Sequence, residues 1–204
     1  DINSEPQILS ETKYRFALDN KNLTIDLDSG NFLFLQSEAS NSASVTTEET
    51  KKRSANFKQF LSQKNLLKED LKNGLVKELN NNISIWPQDI DKIPIKTDDL
   101  DKGLIFAEIV NSPLELKNYI SLQYIYWPRD TTTFATYPLK TSSLALEDLK
   151  SGKGVIMLEP EKPQVSITTV YLAYFQNREY SSYLQPIYVF EGPNFVAFVD
   201  AIAR

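Results

Sequence analysis

Acidic, hydroxyl and aromatic side chains are the groups this sequence offers for chemistry, because it contains neither histidine nor cysteine. Missing histidine removes the side chain that titrates near neutral pH unaided and serves most often as general base or metal ligand. Missing cysteine removes disulfides, thiolate nucleophiles and zinc–thiolate sites. Any catalysis would therefore have to run on carboxylates, lysine, tyrosine or serine. The run NLTIDLDSGN sets Asp26 and Asp28 at the spacing that opens a calcium-binding EF-hand loop. It then departs from that pattern: Gly30 takes the fifth position, Asn31 the sixth, where glycine is needed, and Ser37 the twelfth, where a bidentate glutamate belongs. Two acids on the wet face of a hairpin account for it better.

The carboxylate pairs Asp98–Asp99 and Glu159–Glu161 lie in the polar, turn-like contexts KTDDLDKG and EPEKP. Nothing there predicts the burial that raises a carboxyl pKa, so solvated loop charges are expected. The run Lys150-Ser151-Gly152-Lys153-Gly154 lacks the upstream glycines of a phosphate loop and leads into a strand instead of opening a helix. No nucleophile elbow or dinucleotide fingerprint is present. No cofactor is expected.

Aromatic residues are the most distinctive feature. Tyr124, Tyr126, Trp127, Phe134 and Tyr137 crowd the middle; Tyr171, Tyr174, Phe175, Tyr188, Phe190, Phe195 and Phe198 crowd the end. Tyrosine and tryptophan on an exposed sheet face can stack on sugars or grip a peptide. Alternating strand patterns turn most of them inward. Tyr124, Tyr126, Trp127 and Tyr137 are the candidate binding residues.

These groups are positioned by a chain of 204 residues with 41% hydrophobic side chains, enough for one large domain or two small lobes. A formal net charge of −5 argues against nucleic acid as a partner. The basic run Lys51-Lys52-Arg53 follows Glu48-Glu49, so its field is locally cancelled. Residues 1–13 are polar and read as a lead-in or tether. YRFALD and LTIDLDSGNFLFLQ alternate as a three-strand meander, with Leu23, Ile25 and Leu27 on one face and Gly30 at the turn. Residues 37–50 read as a flexible loop. A helix follows over 47–65, with Phe57, Phe60 and Leu61 on one face and Thr47 or Thr50 as cap.

Strands are expected in LVKELNNNISIWP, GLIFAEIV and NYISLQYIYWP, and a polar passage over 88–102. A short helix is expected over 139–151, capped by Thr141 or Ser142, before four strands in GVIMLEP, SITTVYLAYF, YLQPIYVFEG and FVAFVDAIA. The class is α+β, with antiparallel sheets each packed by one or two helices. The expected lobes are 14–102 and 103–204. EDLKNG at 69–74 recurs as EDLKSG at 147–152. Both phrases put an apolar anchor, a lysine and a glycine stop at a helix end. Ile85-Trp86-Pro87 follows the first phrase whereas Tyr126-Trp127-Pro128 precedes the second, an order that argues for convergent helix endings over a duplicated lobe.

VSITTVYLAYFQNREYSSYLQPIYVFEGPNFVAFVDAIA, with the helix and strand in ALEDLKSGKGVIM before it, resembles the closing segment of membrane-anchored extracytoplasmic bacterial proteins with PepSY-like or YycH/YycI-type domains. The match runs in order over 141–202, and LTIDLDSGNFLF is similar to a strand–turn–strand nearer the start of such chains. The resemblance implies a PepSY-like fold in one or both lobes. It also implies a cell-surface location, a membrane anchor N-terminal to Asp1, and contact with an envelope or membrane protein such as a sensor kinase. No catalytic residue comes with it. The expected function is a non-catalytic binding or regulatory ectodomain. A cell-wall or carbohydrate binding module using Tyr and Trp is the alternative, and a carboxylate-based glycosidase stands behind it. Sequence leaves the oligomeric state open.

Overall fold

The computed structural model describes residues 5–37, 47–130, 132–161 and 164–203. The chain divides into two compact units. The first comprises Asp1–Gln88 and Asp101–Trp127, the second Asp89–Leu100 and Pro128–Arg204. The boundary expected at 102/103 is thereby displaced, because residues 105–124 complete the first unit's sheet. The expected loop over 37–50 lies mostly outside the described residues.

The first unit's sheet has eight strands: β1 (Gln7–Ile8), β2 (Lys13–Leu18), β3 (Lys21–Asp26), β4 (Phe32–Gln36), β5 (Val76–Leu79), β6 (Asn82–Ile85), β8 (Ile105–Ile109) and β9 (Tyr119–Tyr124). Their spatial order is β1-β2-β3-β4-β9-β8-β6-β5, antiparallel throughout. The supposed lead-in thus contributes an edge strand, with Gln7 opposite Arg15. The β3–β4 turn forms where expected: Gly30 has φ +71°, and the Asp26 carboxylate accepts from the backbone N–H of Asp28 at 3.1 Å. Asp26 is therefore occupied in shaping a turn.

Helix α1 (Thr47–Gln63) places Phe57, Phe60 and Leu61 on one face, and the short α2 (Glu69–Lys72) adds Leu71. These meet the strand residues Phe34, Ile83, Ile85, Ile105, Ala107, Ile109, Tyr119 and Leu122, which alternation turns to the same side. The Tyr119 ring lies 4.9 Å from that of Phe60, and its buried hydroxyl donates to Pro113 O at 2.6 Å. Arg53 departs from expectation. Its guanidinium is buried and donates to Asn80 O, Asn81 O and Ile109 O at 2.9, 3.0 and 2.5 Å. The planar fork satisfies three carbonyls at a strand end, which a surface charge in a cancelled run would not do.

The second unit's sheet has the order β10-β13-β12-β11-β7, with β7 (Ile95–Lys96), β10 (Val155–Leu158), β11 (Thr169–Phe175), β12 (Gln185–Gly192) and β13 (Phe195–Asp200). It is antiparallel except that β7 runs parallel to β11. β7 lies inside the passage read as merely polar; two residues are too short for a periodic signal. Helix α3 (Ser142–Lys150) starts at Thr141, whose hydroxyl accepts from Leu144 N–H at 3.3 Å. It lays Ala145, Leu146 and Leu149 over Phe190, Phe195, Ala197 and Val199. Ala173, Ile187, Val189 and Phe198 face the opposite side, with Leu100 and Met157 against them. The class is α+β. No helix among the described residues is long and apolar enough to cross a membrane.

Candidate functional site

The structure separates the four aromatic candidates. Tyr124 is buried in the first unit's core, its ring stacked on Phe32 with centroids 5.3 Å apart. Burial, then the neighbouring Tyr126 and Asp70, pushes its pKa up to about 12. Tyr124 is therefore a core residue, because its position alternates in register with Leu122 and Ile105 on the inner face. Tyr126 is half-buried against the same core, its backbone N–H bonded to the Asn31 side chain at 2.7 Å. Trp127 is half-buried, while Tyr137 belongs to the second unit and is exposed. The four do not form one patch within a unit.

Two tyrosines outside that set are more accessible. Tyr180 and Tyr183 are 69% and 75% exposed, in the connection between β11 and β12. Its sequence, Asn177-Arg178-Glu179-Tyr180-Ser181-Ser182-Tyr183, has the tyrosine–serine composition of protein-binding loops. Tyrosine supplies a large amphipathic contact at low conformational cost, and serine supplies adaptable hydrogen bonds. The signal lay in their placement: these aromatics interrupt the alternation instead of following it, so they belong to a connection and not to a strand face.

The stem of this loop is fixed by charge. Arg178 Nε lies 3.0 Å from Asp98 and its Nη2 lies 3.3 Å from Asp99. Asp98 and Asp99, expected as solvated loop charges, thus anchor the loop, because the short β7 brings them beside the end of β11. Gln176 N–H donates to Lys96 O at 2.9 Å, continuing the β7–β11 pairing into the loop. The Asn177 side chain accepts from Glu179 N–H at 3.1 Å, and the Ser181 hydroxyl donates to Tyr183 O at 2.8 Å. Local bonds of this kind set a turn without borrowing from the sheet.

Towards the other end of the β11–β12 pair, the Tyr171 hydroxyl donates to Glu191 at 2.5 Å, and Lys96 Nζ lies 3.8 Å from the same carboxylate and 5.3 Å from the Tyr171 ring centroid. Burial, reinforced by the bond to Glu191, raises the Tyr171 pKa far above that of free tyrosine. That keeps the phenol protonated as a donor and suits it to holding Glu191 in place, not to proton abstraction. Glu159 and Glu161 are exposed beyond β10. Among the described residues, no group of three or more acidic side chains is arranged to hold a metal ion.

No family model matches the chain, and no curated protein matches it. Among solved structures, the Bacillus megaterium YpeB C-terminal domain aligns with a TM-score of 0.42 at 12% identity, covering 98% of this chain and 83% of that one.

Proposed function

We propose that this chain is a non-catalytic extracytoplasmic domain that binds or regulates an envelope or membrane protein by direct contact. The observation that carries the reading is the exposed pair Tyr180 and Tyr183 on a loop whose stem Arg178 pins to Asp98 and Asp99. Rigid aromatic anchors on a fixed scaffold lose little freedom on binding, which is the requirement for a contact site. The extracytoplasmic placement rests on the C-terminal sequence pattern. A non-catalytic role is supported by the engagement of Glu191, Asp98 and Asp99 in holding strands and loop. Tyr126, Trp127 and Tyr137 remain candidate contributors.

Photo-crosslinking in the native envelope tests the proposal. A benzophenone amino acid at position 183 should capture one membrane or envelope protein reproducibly, whereas the same probe at the buried position 124 should capture none. Tyr180→Ala should reduce the adduct and leave the far-ultraviolet circular dichroism unchanged. Retention on purified wall polymer with no protein adduct would instead identify a carbohydrate-binding loop and sink the contact reading.

A further inference from the structure

Each sheet exposes two edges, and three of the four are guarded. β1 and β7 are two residues long, and β5 carries Lys77 and Glu78 at its centre. Short length and charge are the usual protections against pairing with another chain. The fourth edge, β10, is as short as β5 but carries no charge within the strand. It reads Val155-Ile156-Met157-Leu158, pairs among the described residues with β13 alone, and leaves Val155, Ile156 and Leu158 62%, 53% and 43% exposed.

Charge at its two ends gives the strand a polarity. Lys150 and Lys153 precede it and Glu159 and Glu161 follow it, all four exposed. A strand added antiparallel with the same sequence brings opposite charges together at both ends. Centred on Ile156, such a pairing sets Lys153 of each copy opposite Glu159 of the other, because the residue numbers of partners then sum to a constant. Lys153 already contacts Asp148 at 2.9 Å, but that carboxylate also holds Lys140 at 2.9 Å and keeps a cation if Lys153 turns outward.

We propose that β10 pairs with β10 of a second copy of this chain, joining two five-stranded sheets across a two-fold axis. The inference does not rest on the tyrosine loop, which connects β11 and β12 and is separated from β10 by β13. A register irregularity between Ile156 and Leu158 shortens the run that can pair, so the association is weak and concentration-dependent.

Sedimentation equilibrium on the intact chain tests it. The mass should rise from 23.3 kDa towards twice that value as concentration approaches the order of 100 µM. Ile156→Lys should hold it at the monomer mass with an unchanged circular dichroism spectrum. Glu159→Lys, at an exposed position, should raise the dissociation constant about tenfold by turning two attractive contacts repulsive. Adding Lys153→Glu to Glu159→Lys should restore association. A monomer up to about 0.5 mM, or a dimer indifferent to Ile156→Lys, overturns the proposal; so does failure of the double variant to recover. Loss of the tyrosine-loop adduct leaves this result untouched, so the two readings fail separately.

Discussion

Glu69–Gly74 in the first unit and Glu147–Gly152 in the second differ at one residue, Asn73 against Ser151. Both end a helix, both bury or half-bury their leucine, and both carry a lysine in the last turn. Their glycines are required for different reasons. Gly152 has φ +79° with open space where a Cβ would stand. It is a left-handed stop, with its N–H bonded to Leu149 O and Lys153 N–H bonded to Asp148 O, each at 3.0 Å. Gly74 is not left-handed; a Cβ there would come within 1.9 Å of Trp86 O. Its role is to let the chain pass the end of β6. The sheets around the two phrases differ as well, eight strands against five in unrelated order. A shared phrase therefore records the common needs of a helix end, an apolar anchor and a cation near free carbonyls, more than common descent.

Alanine at each glycine separates the two roles, and the first unit should suffer most. Gly74→Ala forces a Cβ against a backbone carbonyl that cannot rotate aside, so either α2 or the start of β5 must move. The expected loss is about 3 kcal/mol. Both tryptophans, Trp86 and Trp127, belong to the first unit. Denaturant unfolding followed by tryptophan fluorescence therefore reports it directly. An unchanged midpoint would mean that Gly74 is spacious in solution and that the contrast between the two phrases is false.

Gly152→Ala meets no atom, so its cost is the left-handed backbone alone, about 1 kcal/mol. Hydrogen exchange should show the effect concentrated in Ser142–Lys150, where faster exchange reports fraying of α3. A loss as large as that at Gly74 would show that strain and steric exclusion are not distinguished by these two sites.

Much of this architecture was legible from period alone. The β2–β3–β4 meander, the Phe57/Phe60/Leu61 face and the four closing strands follow from alternation and helical spacing that packing then reinforced. The failures have common causes. β7 is too short to show a period, and the unit boundary depends on β8 and β9 pairing with β6 and β4, a long-range choice that no local window contains. The burial of Arg53 is not visible in a basic run whose field is locally cancelled, because the three carbonyls that retain it come from residues 27 to 56 positions away. The candidate site was read by aromatic density, which favours strands and hence the core; Tyr180 and Tyr183 stood outside the dense runs. Gly74 carries the same phrase as Gly152, and what distinguishes them, the backbone angle and the approach of Trp86, lies outside that phrase.

The aspartates of the two phrases give the finest comparison. Asp148 accepts from Lys140 and Lys153 at 2.9 Å each, and these bonds, Lys140 first, hold its pKa below the ordinary aspartate value of 3.8. Lys140 is itself tied into the sheet through its N–H to Ala201 O at 2.9 Å and its carbonyl, which accepts from the Tyr188 hydroxyl at 2.8 Å. The pair thus clips α3 to the strands. Because the folded-state value is depressed, the stabilisation is complete above the unfolded value and disappears as pH falls through the folded one. Acidification below about pH 4 should therefore loosen α3. Asp148→Asn should be less stable than the parent at pH 6, with the difference closing as the pH approaches 2. In the first unit the backbone carbonyl of Asp70 accepts from Gln88 N–H at 2.7 Å, a bond that does not titrate. Hydrogen exchange at pH 6 and pH 3, compared between Ser142–Lys150 and Glu69–Lys72, measures the contrast. Equal acid sensitivity in the two helices would remove the lysine clip as its cause and leave general charge repulsion in its place.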